Sequence, residues 1–494
     1  MEVRRSDYGM SWKSATIAPA RLREAFVGNR TTLLLSIAVA LVVFFLNRNA
    51  TSEYNIFTDH HIRFSQALLG DIDRSLVSYP MWGYPLTIVA FGSGIWLKLL
   101  QLTLSLAAFL WVYRTWVYES QISVIRVGVL ILFAWVWFST ASVYWPAAIA
   151  VPIWWISLTL YKRLITTGFS SLTATFTGIT AGIAANFRSE FLFFTLLVLV
   201  TATLVGTFNS QRPDSVDKIK SLTTVVAVTL IMLLPWGIFN QTSGEGFRLT
   251  SSNSGAVATI SLGQLPGNSW GITPKDEFLV TYLEQGGGET TSPFNPNSDR
   301  LFWKLFIDSV IDNPGEYVKK MLWNLKNSLL GGLYVGDIDT FGGVSNSETI
   351  DNWKESLKSK LGLNSNPNTD SGSADSTGVL SFQFLLFVAG VTLSAATALL
   401  VSVAILALIL KSKIKGSRNP NVMAVATIIG ALFLVATFQY QPRSLNVAAP
   451  AFILLALPVI DFASGLVWNS RLLKSANAKF TSVRHRSSEI TGVD

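Results

Sequence analysis

The sequence predicts an all-α polytopic membrane protein of about ten transmembrane helices with a small mixed extracytoplasmic domain. Three observations carry that expectation. Half of the 494 residues are hydrophobic and only 14% are charged, with a mean hydropathy of +0.42, where a soluble chain carries roughly a quarter charged residues. Apolar runs recur at roughly 18–20 residues, the length that crosses a ~30 Å hydrocarbon core as helix. Basic residues collect in alternate connecting segments, as the positive-inside rule requires. Strand-like alternation of the barrel type does not recur.

In order, the first span is Thr31–Leu46. The segment before it holds Arg4, Arg5, Lys13, Arg21, Arg23 and Arg30 and reads as the basic flank of a retained signal-anchor. A polar stretch, 47–78, follows. The Pro- and Gly-rich apolar segment Tyr79–Trp96 reads as a short interfacial or re-entrant helix. Further spans fall at Leu97–Val117, Ile122–Phe138, Tyr144–Tyr161, Leu172–Asn186, Phe191–Phe208 and Leu222–Phe239. After a long polar region come Val379–Leu410, Val422–Phe438 and Leu445–Val467. The chain thus divides into an N-terminal transmembrane module (1–239), an extracytoplasmic domain (240–378), C-terminal transmembrane helices (379–470) and a basic cytoplasmic tail (471–494).

With the N-terminus inside, the inner segments hold Arg114, Lys162, Arg163, Arg212, Lys218, Lys220, Lys411, Lys413, Lys415 and Arg418. Region 240–378 falls outside, and there acids outnumber bases. The expectation is a multi-pass protein of the cell (plasma or inner) membrane with both termini cytoplasmic. A single crossing by Leu172–Phe208, where two short runs flank Arg188, inverts the parity and loses the match. The net charge of +8 belongs to this topology and implies membrane lipid, with no nucleic acid partner. With no cysteine, disulfides and thiolate metal sites are excluded. Within the outer region, Leu301–Leu330 has helical periodicity, interrupted at Asn313–Gly315, of a kind that lies on a membrane surface.

The first outer stretch reads Thr58-Asp59-His60-His61-Ile62-Arg63-Phe64-Ser65-Gln66-Ala67, then Tyr79-Pro80-Met81-Trp82-Gly83-Tyr84-Pro85. Further on stand Gly182-Ile183-Ala184-Ala185-Asn186-Phe187-Arg188-Ser189-Glu190, Pro235-Trp236-Gly237-Ile238-Phe239-Asn240, Thr250–Gly255 with Gly263–Gly271, Asp312–Tyr317 and Pro442-Arg443-Ser444. In this order the motifs resemble the GT-C superfamily of membrane glycosyltransferases, in the branch of bacterial aminoarabinose transferases and protein O-mannosyltransferases. His60 stands where that family has a second acid, and Phe239 where it has an Arg.

The resemblance implies an inverting transfer of a sugar from a polyprenyl-phosphate donor, on the outer membrane face, to a glycan, lipid or protein acceptor. A lipid phosphate is a good leaving group. The remaining needs are a base for the acceptor, for which one carboxylate suffices, and cations for the released phosphate. The resemblance makes Asp59 the base and Arg63, Arg188, Arg443 and Lys98 the phosphate-side cations. His60, Asp71, Tyr79, Tyr84, Asn253 and Trp270 are candidates for acceptor or sugar contact. No cofactor is required. A divalent metal stays open through His60 and His61, although neighbouring histidines are commonly plain surface residues. Snorkelling accounts equally for Arg188, an aromatic belt for most Trp and Tyr, and turn chemistry for Asn253 and Trp270. Competing readings are a lipid-linked sugar transporter or flippase, an O-antigen polymerase or ligase, and a non-catalytic scaffold.

Overall fold

The computed structural model describes residues 30–46, 55–71, 81–117, 124–141, 146–209, 215–242, 246–286, 293, 296–331, 333, 392, 395–404, 422–437, 448–453 and 455–456. Among these residues every regular element is a helix. The elements are α1 (Arg30–Leu46), α2 (Asn55–Leu69), α3 (Gly83–Phe91), α4 (Ile95–Val112, running on into a π-turn at Tyr113–Val117), α5 (Val124–Ala141), α6 (Ala147–Thr167), α7 (Ser171–Phe187), α8 (Glu190–Asn209) and α9 (Ser215–Thr242). They continue with α10 (Ser254–Leu262), α11 (Asp276–Gln285), α12 (Pro296–Asp312), α13 (Pro314–Gly331) and α14 (Val422–Thr437). A further apolar helical segment is Ala395–Ala404. Among the described residues two helices, Ile95–Trp116 and Val216–Thr242, are long and apolar enough to cross a membrane. The described part of the domain expected to be mixed, 246–331, is helical and holds no strand.

Paired contacts fix the helix directions. Phe109 meets Phe133 and Trp137 donates to the Ser105 carbonyl, so α4 and α5 are antiparallel. Leu97 packs in one cluster with Ile149, and Trp116 donates to Thr159 Oγ1, so α4 and α6 run parallel. Ser157 donates to the Thr177 carbonyl across the 168–170 turn, so α6 and α7 are antiparallel. Trp154 and Tyr161 bond Thr195 and Thr203 in the same order, which makes α6 and α8 parallel. Chain direction therefore reverses between α7 and α8, at Arg188 and Ser189. Gly168, with φ 98°, ends α6 in the left-handed region, and the Ser170 hydroxyl accepts from Thr173 N–H to start α7.

A tight seam lies between α7 and α9. A Cβ on Gly178 would sit 2.6 Å from Val228 Cβ and 2.8 Å from the Val225 carbonyl; one on Gly182 would sit 2.4 Å from Met232 Cβ. Two glycines four apart, flanked by buried Ala174, Ala181 and Ala185, make a small-residue face that admits a parallel neighbour at close range. The outward surfaces are apolar: Leu172 and Phe176 on α7, Ile219, Ile231 and Ile238 on α9. The hydroxyls are inside, where Ser157, Thr177, Thr203 and Thr229 all bond helix carbonyls. Phe433 stacks on Phe193, and Gly430 lies against Phe194 and Leu197, so α14 runs antiparallel to α8.

The alternation gives the bundle two ends. One carries Tyr84, Leu97, Ile149, Arg188 and Asn240. The other carries Arg114, Lys162, Arg163, Lys218 and Lys220, with Asp217 the acid among the described residues there. A leucine at Gly178 or Gly182 has no space to enter, because the atoms it meets are Cβ and backbone. Gly178→Leu and Gly182→Leu are each expected to cost about 1–3 kcal/mol, read as an earlier unfolding midpoint on SDS titration in mixed micelles, while Gly128→Leu, which faces open space, leaves it in place.

Candidate functional site

The Arg188 end gathers most of the residues singled out in the sequence. Helix α2 begins at Asn55, inside the stretch read from the sequence as polar, so Asp59 and His60 lie within a helix; their side chains are outside the described residues. Tyr79 and Arg443 are also outside them. From α2, buried His61 turns its ring edge-on to Tyr84, centroids 5.1 Å apart, and buried Phe64 packs on Trp236. Arg63, between them, is exposed, and Asp71 is exposed just past the helix end. The expected single segment Tyr79–Trp96 divides instead at Gly92, whose φ of 72° closes α3 before α4 begins at Ile95.

Helix α3 starts hard against the end of α7. A Cβ on Gly83 would lie 2.6 Å from the Asn186 carbonyl oxygen. Beside it, Asn186 joins three elements. Its Oδ1 accepts from Trp82 Nε1 at 2.7 Å, and its Nδ2 donates to the Gly182 carbonyl of its own helix and to Met232 of α9, both at 2.9 Å. Trp82 then lies against Trp236 and Phe239, with centroids 5.9 and 6.0 Å away. Sequence reasoning quoted Trp82, Asn186 and Trp236 within motifs and gave them no role. The signal available was a lone amide at the end of a small-residue helix, where a polar side chain in an apolar setting must find partners.

Arg188 leaves helical geometry, with φ −149° and ψ 120°, and pairs with Glu190 at the first residue of α8. The adjoining Ser189 hydroxyl is 3.1 Å from that of Ser251, and Ser251 donates to Asn253 Oδ1 at 2.7 Å. Asn253 stands immediately before α10. Two hydroxyls thus tie the turn that holds Arg188 to Asn253. Lys98 is buried on one face of α4 with Gln101 and Ser105, next to Leu97, which packs on Tyr84. Lys98, Tyr84, Arg188 and Asn253 therefore share one end with α2. Among the described residues no group of three His, Asp or Glu side chains gathers to hold a metal ion.

The helices of 246–331 form a unit above this end. Gly255 N–H donates to Asp299 Oδ1 at 2.6 Å, and Arg248 Nη1 lies 3.4 Å from Oδ2, so the carboxylate caps α10 and ties it to α12. Burial pushes the Asp299 carboxyl up, against the pull of Gly255 N–H and Arg248. Trp270, expected as a sugar contact, donates to the Ser309 carbonyl and packs with Ile272 and Phe306 inside this unit. Glu316 accepts from Ser269, which holds its carboxyl below the ordinary range. Lys320 is fully buried, and burial pushes its ammonium down to about 7.

Comparison with protein-family models, with curated proteins and with solved structures finds no match to this chain.

Two outcomes follow from these contacts. Asn186→Leu leaves the Trp82 N–H without its acceptor, at an expected cost of about 1–3 kcal/mol, measurable as an earlier unfolding midpoint in SDS titration. For Lys320, the folded group titrates at about 7 and the unfolded one at 10.5. Between those values the unfolded chain binds the extra proton, so stability rises with pH from about 7 toward 10.5 and stays at its low level below 7. Thermal midpoints at pH 7 and pH 9 should show the rise, and Lys320→Met should remove it.

Proposed function

We propose that this chain is a polytopic membrane glycosyltransferase that moves a sugar from a polyprenyl-phosphate donor to an acceptor at the membrane face carrying the Arg188 end. The observation that carries the reading is the convergence there of α2, which holds Asp59, with Arg188, Lys98, Tyr84 and Asn253, around an aromatic wall of Trp82, Trp236 and Phe239. The alternating helices, their apolar outward faces and their bonded inner hydroxyls support a multi-pass chain. The bases at the opposite end support placing that end, and both termini, in the cytoplasm.

In this reading the acceptor hydroxyl or amine attacks the anomeric carbon from the side opposite the phosphate. The bond from carbon to phosphate oxygen breaks, the polyprenyl monophosphate departs with the electron pair, and the acceptor proton passes to the Asp59 carboxylate. The configuration at carbon inverts. Arg188, released from Glu190 in favour of the phosphate, and Arg63 and Arg443 supply the positive field for the leaving group. The aromatic wall offers faces to the sugar or to the first isoprene units.

The test is transfer in proteoliposomes from a labelled polyprenyl-phosphate hexose to supplied glycan, lipid and peptide acceptors. Asp59→Asn should lower turnover by about 10²-fold or more while leaving the folded fraction unchanged. Full activity in that variant removes Asp59 from the chemistry, and movement of labelled lipid between leaflets without transfer replaces the enzyme by a flippase.

A further inference from the structure

Helix α13 is built inside out for a helix in water. Its buried positions recur every four residues and are polar: Lys320, Asn324 and Ser328 have no exposed surface. Its outward row, from 318 to 330 at every fourth residue, is apolar at Val318 (53% exposed), Leu322 (62%) and Leu330 (69%) and carries Lys326 between the last two. The preceding α12 buries Phe302 and Phe306 and turns Arg300, Lys304, Asp308 and Asp312 outward together with Ile307 and Ile311. The two helices adjoin at Asn313, and only in α12 do large aromatic side chains fill the buried face.

We propose that α13 is seated in the membrane, with its apolar row against lipid acyl chains. The inward polar row is bonded within the protein, as a helix in lipid requires. Asn324 Nδ2 donates to Gln264 Oε1 at 3.1 Å and to the Val435 carbonyl of α14 at 3.2 Å, and Ser328 donates to the Asn324 carbonyl. Through that contact α13 adjoins α14, an apolar helix packed on α8 whose own outward residues include Ile429 and Phe433. Both adjoining helices turn large apolar residues outward, which is why lipid, and not water or a polar partner, is the complement of α13. Exposed Lys319 and Lys326 have stems long enough to carry their ammonium groups to headgroup phosphates. Lys326 Nζ lies 5.5 Å from the Trp323 ring centre, a pairing suited to the headgroup level.

The chain lacks cysteine, so single nitroxide labels can be placed without background. Val318→Cys, Leu322→Cys and Leu330→Cys would be labelled in full-length protein in liposomes, with Asp308→Cys on α12 as comparator, using monodisperse fractions only. At the three α13 positions, oxygen, which partitions into lipid, should relax the label more strongly than a water-soluble nickel chelate. At position 308 the order should reverse. Nickel-dominated relaxation along α13 overturns the proposal in favour of water, and weak relaxation by both agents overturns it in favour of a second copy or another protein. Three positions along the helix keep the result readable if one variant does not fold. The readout involves no sugar transfer, so it stands or falls apart from the proposed enzyme activity.

Discussion

Contact between α7 and α9 is close enough to leave no room for a Cβ at Gly178 or Gly182, and the geometry of the Arg188 end depends on that closeness. Because the two helices touch, Asn186 reaches the Met232 carbonyl across the seam while its other edge takes the Trp82 indole. Trp82 in turn sets the start of α3, and Gly83 permits the approach. Trp236 and Phe239 are presented by the last turns of α9, just beyond Pro235. Prying the seam apart by one side chain would move the amide, the indole and the aromatic wall together. Outside hydrocarbon such a seam is a modest asset. Between lipid-facing helices, where apolar burial provides little drive, close packing and interhelical hydrogen bonds are the main sources of association.

Much of the helical order was legible in the sequence, and the reasons are local. Leu172–Asn186 and Leu222–Phe239 fall inside α7 and α9, since apolar runs between polar or Pro-containing segments leave few alternatives. The interruption at Asn313 separates α12 from α13 at the Asn-Pro pair, where the residue before Pro is pushed out of helical geometry. Arg188 marked a place where one crossing or two could be drawn, and the reversal there follows from the pairing of α6 with α8, which periodicity does not contain. The onset of α2 at Asn55 was missed because Ile56 and Phe57 stand within a stretch, 47–61, otherwise dominated by polar residues. The break at Gly92 was missed because α3 and the start of α4 read as one apolar run. Tertiary partnerships decide what remained hidden. Asn253 and Trp270 had the same standing in sequence, yet one is linked to the Arg188 turn through Ser251 and the other is committed to Ser309.

The arrangement also separates charge by task. Bases gather at the Lys162 end, where Lys162 lies over Trp116 at 4.1 Å and donates to the Thr115 carbonyl. At the Arg188 end, two arginines are paired with carboxylates: Arg188 with Glu190, Arg248 with Asp299. A paired Arg can exchange its carboxylate for a phosphate without leaving a bare cation in a low-dielectric setting between turnovers, which suits a site that takes up and releases an anionic lipid. The most direct measurement is photo-crosslinking with a diazirine-bearing polyprenyl phosphate, the adducts mapped by mass spectrometry. The account predicts adducts within 55–71, 81–91, 186–190 and 236–254, lost in competition with unlabelled lipid. Adducts concentrated at 162–170 and 215–220, at the opposite end, would contradict it.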